Sequence, residues 1–211
     1  MRVLSILTLL FLVSATSHAQ QLDMSLFKDI QPRNIGPAGM SGRVTAIEVV
    51  ESNPDIIFLG TASGGLWKSE NGGTSFKPIF ENERAASVGA VAINQSNPAE
   101  IWIGTGEGNP RNSLNSGNGI YKSIDGGKTW THMGLEATRN IHRVIIHRDN
   151  PNIVYVGAIG SPWGEQQDRG VYKTTDGGKT WRKTLFVDAK SGIGDMVVDP
   201  SNPNKIIAAM W

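Results

Sequence analysis

The chain has 211 residues, of which 39% are hydrophobic and 18% charged, with a formal net charge of +1 and no cysteine. This excludes a disulfide framework and thiol chemistry, and the lack of any Lys/Arg cluster excludes a nucleic-acid footprint. The 25 glycines and 10 prolines, with many asparagines, point to an all-β chain rich in tight turns.

The N-terminus reads as a secretory leader. Arg2 supplies the positive region, Val3 to Ala15 the apolar run, and Ser17-His18-Ala19 a small-x-small cleavage site. Cleavage near Ala19 would send the protein to the exterior, the periplasm or the cell envelope, with 1–19 as signal peptide and 20–26 as a short linker. An uncleaved anchor is the competing reading, but the run is shorter than the roughly 20 residues a bilayer takes. No other segment is apolar enough to span.

Next comes a short strand-like segment, Phe27-Lys28-Asp29-Ile30. It lies 49 residues before Phe76 and matches Phe76-Lys77-Pro78-Ile79 and Trp130-Thr131-His132-Met133. It is expected to be an orphan closing strand.

From there the chain repeats. Three segments align: Ser69 to Phe76 (SENGGTSF), Ser123 to Trp130 (SIDGGKTW) and Thr174 to Trp181 (TTDGGKTW). Their central residues Asn71, Asp125 and Asp176 are 54 and 51 residues apart. In phase with them run Asn53-Pro54, Asn97-Pro98, Asn150-Pro151 and Asn202-Pro203, each between two β-rich runs. One repeat therefore predicts four strands: VTAIEVV, a turn at Asn53-Pro54, IIFLG, GLWKS, the Gly-Gly hairpin, then SFKPI. Four antiparallel strands in about 50 residues is the size of a β-propeller blade. Blades are expected at about 42–80, 88–133, 142–185 and, in part, 194–211. About four blades is the fewest that closes. The sequence thus reads as the N-terminal part of a ring, residues 27–211, whose remainder belongs to a longer chain. Assembly of several short chains into one ring is the alternative.

The repeated box has a structural explanation. Gly73, Gly127 and Gly178, each second in its Gly-Gly pair, allow positive φ in the hairpin. Ser69, Ser123 and Thr174 open the turns, and Asn71, Asp125 and Asp176 accept from their backbone N–H groups. Phe76, Trp130 and Trp181 are expected to pack between neighbouring blades. A lone acid in such a turn lacks the oxygen ligands calcium needs, and Asn71 in the first box argues against catalysis by these positions.

Chemistry is then expected on the opposite rim, formed by the second-to-third strand loops and the connections between blades. The loops there are uneven: Thr61 to Gly65, Gly106 to Gly119 and Ile159 to Gly170. Glu107, Glu165 and Asp168 are the candidate carboxylates, as an acid/base pair for glycoside hydrolysis. Arg33, Arg43 and Arg111 are candidate clamps for an anion or carboxylate, and Trp163 could stack on a sugar ring. Asn112, Arg169, Arg84, Arg139 and His142 share this rim. The competing reading is ordinary solvated loop charge. His132, His142 and His147 lack metal-ligand spacing, so no metal is expected, and no cofactor fingerprint is present.

The boxes, with IQPRNIGPAGMSGRVTAI, IGTGEGNPRNS, NIHRVIIHRDNPNIVYVGA and GVYKTTDGGKTW, carry a resemblance covering about residues 27 to 211. They resemble the BNR/Asp-box superfamily. Within it they are similar to large bacterial secreted proteins related to the sortilin N-terminal domain, often labelled glycosyl hydrolases. The resemblance implies an Asp-box β-propeller. It implies either a peptide- or glycan-binding scaffold or a secreted glycoside hydrolase, and more distantly an assembly factor of the photosystem kind. Sialidases carry an Arg-Ile-Pro motif where this chain has Arg33-Asn34-Ile35-Gly36-Pro37, so sialidase chemistry is not implied.

Overall fold

In a computed structural model of the chain, the residues described are Asp23, Ser25, 43–109 and 111–211. The leader and linker, the strand expected at Phe27 to Ile30, and Arg33 lie outside them. The chain divides into two compact units, Met1–Ile35 and Gly36–Trp211. In the first, the Ser25 amide donates to Asp23 Oδ1 at 2.9 Å.

The second unit is almost entirely β. Three successive four-stranded antiparallel sheets are followed by a two-stranded one. The first holds β1 (Val44–Val49), β2 (Ile57–Thr61), β3 (Leu66–Ser69) and β4 (Lys77–Pro78). The second holds β5 (Val88–Ile93), β6 (Ile101–Thr105), β7 (Ile120–Ser123) and β8 (Thr131–His132). The third holds β9 (Ile141–Ile146), β10 (Val154–Ala158), β11 (Gly170–Thr174) and β12 (Arg182–Leu185), and the last β13 (Ile193–Asp199) and β14 (Asn202–Met210). Within each sheet the strands follow chain order, as the hairpin connections dictate. No helix among the described residues is long and apolar enough to cross a membrane.

The Asn-Pro turns of the first three sheets are alike. In the first, Val50 and Ile56 amides donate to Ile56 and Asn53 carbonyls at 3.1 and 3.0 Å; Asn94/Glu100 and His147/Ile153 repeat the pattern. The fourth differs from its sequence pattern. The chain turns at Pro200-Ser201, where Asp199 Oδ1 accepts from the Ser201 amide and hydroxyl at 2.9 and 2.7 Å. Asn202 already pairs with Asp199, and the next paired residue is Ile206. Pro203 therefore lies in a bulge, where its missing N–H breaks no ladder bond.

Each Gly-Gly turn is closed by its own side chains. Ser123 Oγ accepts from the Gly127 amide at 2.9 Å and donates to Asp125 Oδ1 at 2.8 Å. Asp125 also accepts from the Lys128 and Thr129 amides and the Thr129 hydroxyl. Thr174 and Asp176 do the same with the Gly178 amide and with the Thr180 amide and hydroxyl, and Ser69 and Asn71 with the Gly73 and Ser75 amides. The glycines have φ from +64° to +93°, which disfavours any side chain.

Sheets pack face to face in chain order. Val50, Phe58, Leu66 and Phe80 meet Val88, Val91 and Ile103 in one core, and Trp102 and Ile120 meet Ile141, Val144 and Val156 in the next. The third core joins Tyr155 and Val171 to Ile193 and Met196. The indoles span these interfaces: Trp130 Nε1 donates to the Ile79 carbonyl at 2.8 Å, and Trp181 Nε1 to that of Met133 at 2.7 Å. A glycine in the second strand of each of the first three sheets permits the approach. A Cβ on Gly60, Gly104 or Gly157 would come within 2.8, 2.3 or 2.7 Å of Val88, Ile141 or Ile193. These sheets are propeller blades, and β1, β5 and β9 are their successive first strands.

Candidate functional site

Backbone bonds sort the loops onto two rims. On one, the Gly72, Gly126 and Gly177 amides donate to Asp55, Ala99 and Asn152, tying each Gly-Gly turn to the Asn-Pro turn of its own blade. On the other, the Gly65, Gly117 and Gln166 amides donate to Ala86, Arg139 and Ala189, tying each second-to-third strand loop to the following interblade connection. The candidate residues lie on this second rim.

Its centre is an ion pair across two blades. Arg43, just before β1, donates through Nε to Glu107 Oε1 at 3.0 Å and through NH2 to Oε2 at 2.5 Å. The Glu107 side chain is fully buried and that of Arg43 is 37% exposed. Two residues proposed separately, as acid and as clamp, are thus each other's partners. Glu107, oriented by this fork, is sealed from solvent.

Asn140 links this pair to the third blade. Its Nδ2 donates to the Glu107 carbonyl at 2.5 Å, and its own carbonyl accepts from the Ile159 and Gly160 amides at 3.0 and 3.3 Å. Asn115 adds a strut, donating to the Ala62 carbonyl at 3.1 Å. Asn140 follows a strained turn: Arg139 has φ 59° and ψ −52°, and the Asn140 amide donates back to Thr138 at 2.6 Å. This is the γ-turn of positive φ, rare for a residue with a side chain. It leaves the Arg139 side chain exposed on the rim.

The third-blade loop is held from inside. Arg169, 4% exposed, donates to the carbonyls of Ile159 at 2.6 Å, Gly164 at 3.0 Å and Ser161. The loop thereby presents Trp163, 67% exposed, from a fixed backbone. Glu165 pairs with Lys190 at 3.3 Å, both exposed. Asp168 is half-buried and faces Tyr172, whose hydroxyl is pushed up to about 12 by burial first and by that carboxylate second. Among the described residues no hydrogen bond joins Glu107 to Glu165 or Asp168. Arg111 is exposed.

Burial also sets His142. Its pKa is held below the ordinary histidine value by burial and the neighbouring Arg143, against the pull of Asp195. Five buried side-chain atoms lack a hydrogen-bond partner among the described residues: Ser87 Oγ, Asn140 Oδ1, His142 Nδ1, Gln166 Nε2 and Arg169 Nε. All five lie on this rim or at the strand ends that open onto it. Sequence reasoning missed Ser87, Asn115 and Asn140, which are ordinary polar residues in ordinary loops. The one available signal was the glycine run around Glu107, since a Cβ on Gly106 would come within 2.8 Å of Asn140 Cα.

The architecture defines a β-propeller protein of four-stranded blades. The chain belongs to the Sortilin-Vps10 family (sortilin, neurotensin receptor 3), whose profile matches residues 64–190. No curated protein sequence matches it. Among solved structures, it is similar to a GH74 enzyme of Niastella koreensis: 30% identity, TM-score 0.60, over 78% of this chain and 24% of that one. The GH74 xyloglucanase from Xanthomonas campestris matches at 17% identity and TM-score 0.59, over 81% of this chain and 27% of that one. YCF48 bound to D1 peptide matches at 15% identity and TM-score 0.52, over 76% and 46%. This chain therefore spans about a quarter of the GH74 structures.

Proposed function

We propose that the second rim is a binding surface for a polar polymer, a peptide or a glycan, and that the protein is an extracytoplasmic interaction scaffold. The observation that carries this is that all five buried side-chain atoms without a partner among the described residues lie on this rim or at the strand ends that open onto it. Buried polar groups are normally paired, and each exception calls for an explanation. Here they sit beside a strained turn and an exposed, rigidly mounted tryptophan, features that concentrate at recognition sites. The location follows from the leader pattern of the sequence.

The second reading is a glycoside hydrolase, favoured by the 30% identity to a GH74 enzyme. Glu165 and Asp168 are the carboxylates it would use, because Glu107 is committed to Arg43. The test is to probe peptide and glycan arrays with the intact chain, and to assay xyloglucan cleavage in parallel. A captured ligand should bind Trp163→Ala at least about tenfold more weakly, as for an aromatic anchor. Equal binding by that variant, or silence on both arrays, would overturn the scaffold reading. Release of reducing ends abolished by Glu165→Gln or Asp168→Asn would establish the hydrolase instead.

A further inference from the structure

The first strands β1, β5 and β9 line an open cleft of about 390 Å³. That is within the size range of small-ligand sites. Its walls include Val44, Ala90 and Val144, and its polar lining includes Glu48, His142 and Arg143. The Arg143 charge is matched by Asp195, whose Oδ1 accepts from Nε at 2.6 Å. The Glu48 side chain is half-buried and makes no hydrogen bond or ion pair with the described residues. His142 is 8% exposed, and its Nδ1 has no partner.

We propose that this cleft binds a primary alkylammonium group, with the Glu48 carboxylate as counter-ion, neutral His142 as a polar neighbour and the aliphatic walls against the carbon stem. The charge balance favours a cation, since with Arg143 neutralised Glu48 is the uncompensated charge. Burial, and then the nearby Glu51, hold the Glu48 carboxyl above its ordinary value. A bound cation would favour its ionised form. The stem would cover apolar wall that the open cleft exposes to water. A free alkylamine and a lysine side chain share this chemistry. The site is separate from the Arg43–Glu107 ion pair and turns on Glu48, which the rim reading does not use, while His142 is shared between the cleft and the rim's edge.

The test uses the intact chain with butylammonium, butan-1-ol and N-acetyl-Gly-Lys-Gly-amide, followed by ligand-observed saturation-transfer NMR. Butylammonium should bind with a Kd of about 1–10 mM, and butan-1-ol at least about tenfold more weakly. Glu48→Gln, isosteric and uncharged, should weaken the amine at least about tenfold while leaving butan-1-ol unchanged. Binding of the peptide as well would identify the lysine side chain as ligand; binding of butylammonium alone would identify a free amine. No amine binding, equal binding of amine and alcohol, or amine binding untouched by Glu48→Gln would each overturn the proposal. Because removing a half-buried carboxylate also removes its desolvation cost, Glu48→Gln should melt no lower than the parent at neutral pH. A folded variant is therefore expected, and the binding result is interpretable.

Discussion

At the scale of single residues, the box works by saturating donors at a turn. Asp125 collects two backbone amides and two hydroxyls, and those donors hold its carboxyl well below the usual carboxylate range, led by the Thr129 hydroxyl. Asn71 does the same job with reversed polarity at one end: its Nδ2 donates to Ser75 Oγ at 2.9 Å, where Asp125 Oδ2 accepts from the Thr129 hydroxyl at 2.6 Å. The position needs an acceptor oxygen and a short stem, not a charge. The aromatic that closes the box has two separable roles, area and donor. Trp130 is edge-on to Phe80, with centroids 5.4 Å apart, and also donates to Ile79. Phe76 closes the first box with no indole donor at all. Trp130→Phe should keep most of the apolar contact and lose one hydrogen bond to a half-buried carbonyl. The expected cost is about 1 kcal/mol in urea unfolding. A loss above about 3 kcal/mol, the scale of deleting a core aromatic, would mean that Phe cannot fill the interblade gap.

At the scale of elements, the blades were legible because their punctuation is local. Gly-Gly hairpins, Asn-Pro turns and four-to-seven-residue β-rich runs each declare themselves within a short window. The fourth Asn-Pro shows the limit, since the Asp199 side chain turns the chain before the proline is reached. The site was less legible for the same reason. Arg43 and Glu107 are 64 residues apart and meet because one blade lays its second-to-third strand loop beside the start of its neighbour. Neither spacing nor residue type announces that, and nothing in the sequence marks Arg139 for positive φ. The pairing has a measurable consequence. Arg43→Ala leaves the fully buried Glu107 carboxylate without a counter-ion. Breaking a buried pair from one side costs about 3–5 kcal/mol, and partial exposure of Arg43 places the expected loss near the lower figure. Arg43→Leu with Glu107→Met removes both charges and should recover most of the loss. Thermal unfolding of the two variants beside the parent decides it. If Arg43→Ala costs less than about 1 kcal/mol, the pair behaves as a surface bridge, and the Asn140 network holds the loop without it.

At the scale of the whole unit, register shows which surfaces the repeat is built to cover. Val44 pairs with Thr61 as Val88 pairs with Thr105, and Ile47 pairs with Leu59 as Val91 pairs with Ile103. Yet Val44 and Ile47 are 57% and 61% exposed, whereas Val88 and Val91 are 0% and 5%. The last sheet mirrors this. Val197 and Ile207 pair as Ile145 and Tyr155 do, but they are 55% and 59% exposed, while Tyr155 is 7%. Among the described residues, the same side chain at the same register is buried where a sheet has described neighbours on both faces and exposed where it has one. The two outer sheets thus present apolar faces designed by the repeat for contact, the kind of surface that drives association. Two-sided burial would remove several aliphatic side chains from water at about 25 cal/mol per Å². The chain of 211 residues should therefore self-associate, with a mass by light scattering that rises with concentration. Ile47→Lys with Ile207→Lys places an ammonium at the centre of each face, where association would bury it unpaired. That variant should stay monomeric over the same concentration range. Its melting temperature should hold, because neither side chain packs inside the three cores. Association undiminished in the double variant would show that the outer sheet faces do not mediate it, and would move attention to the exposed aromatics Trp163, Phe186 and Trp211.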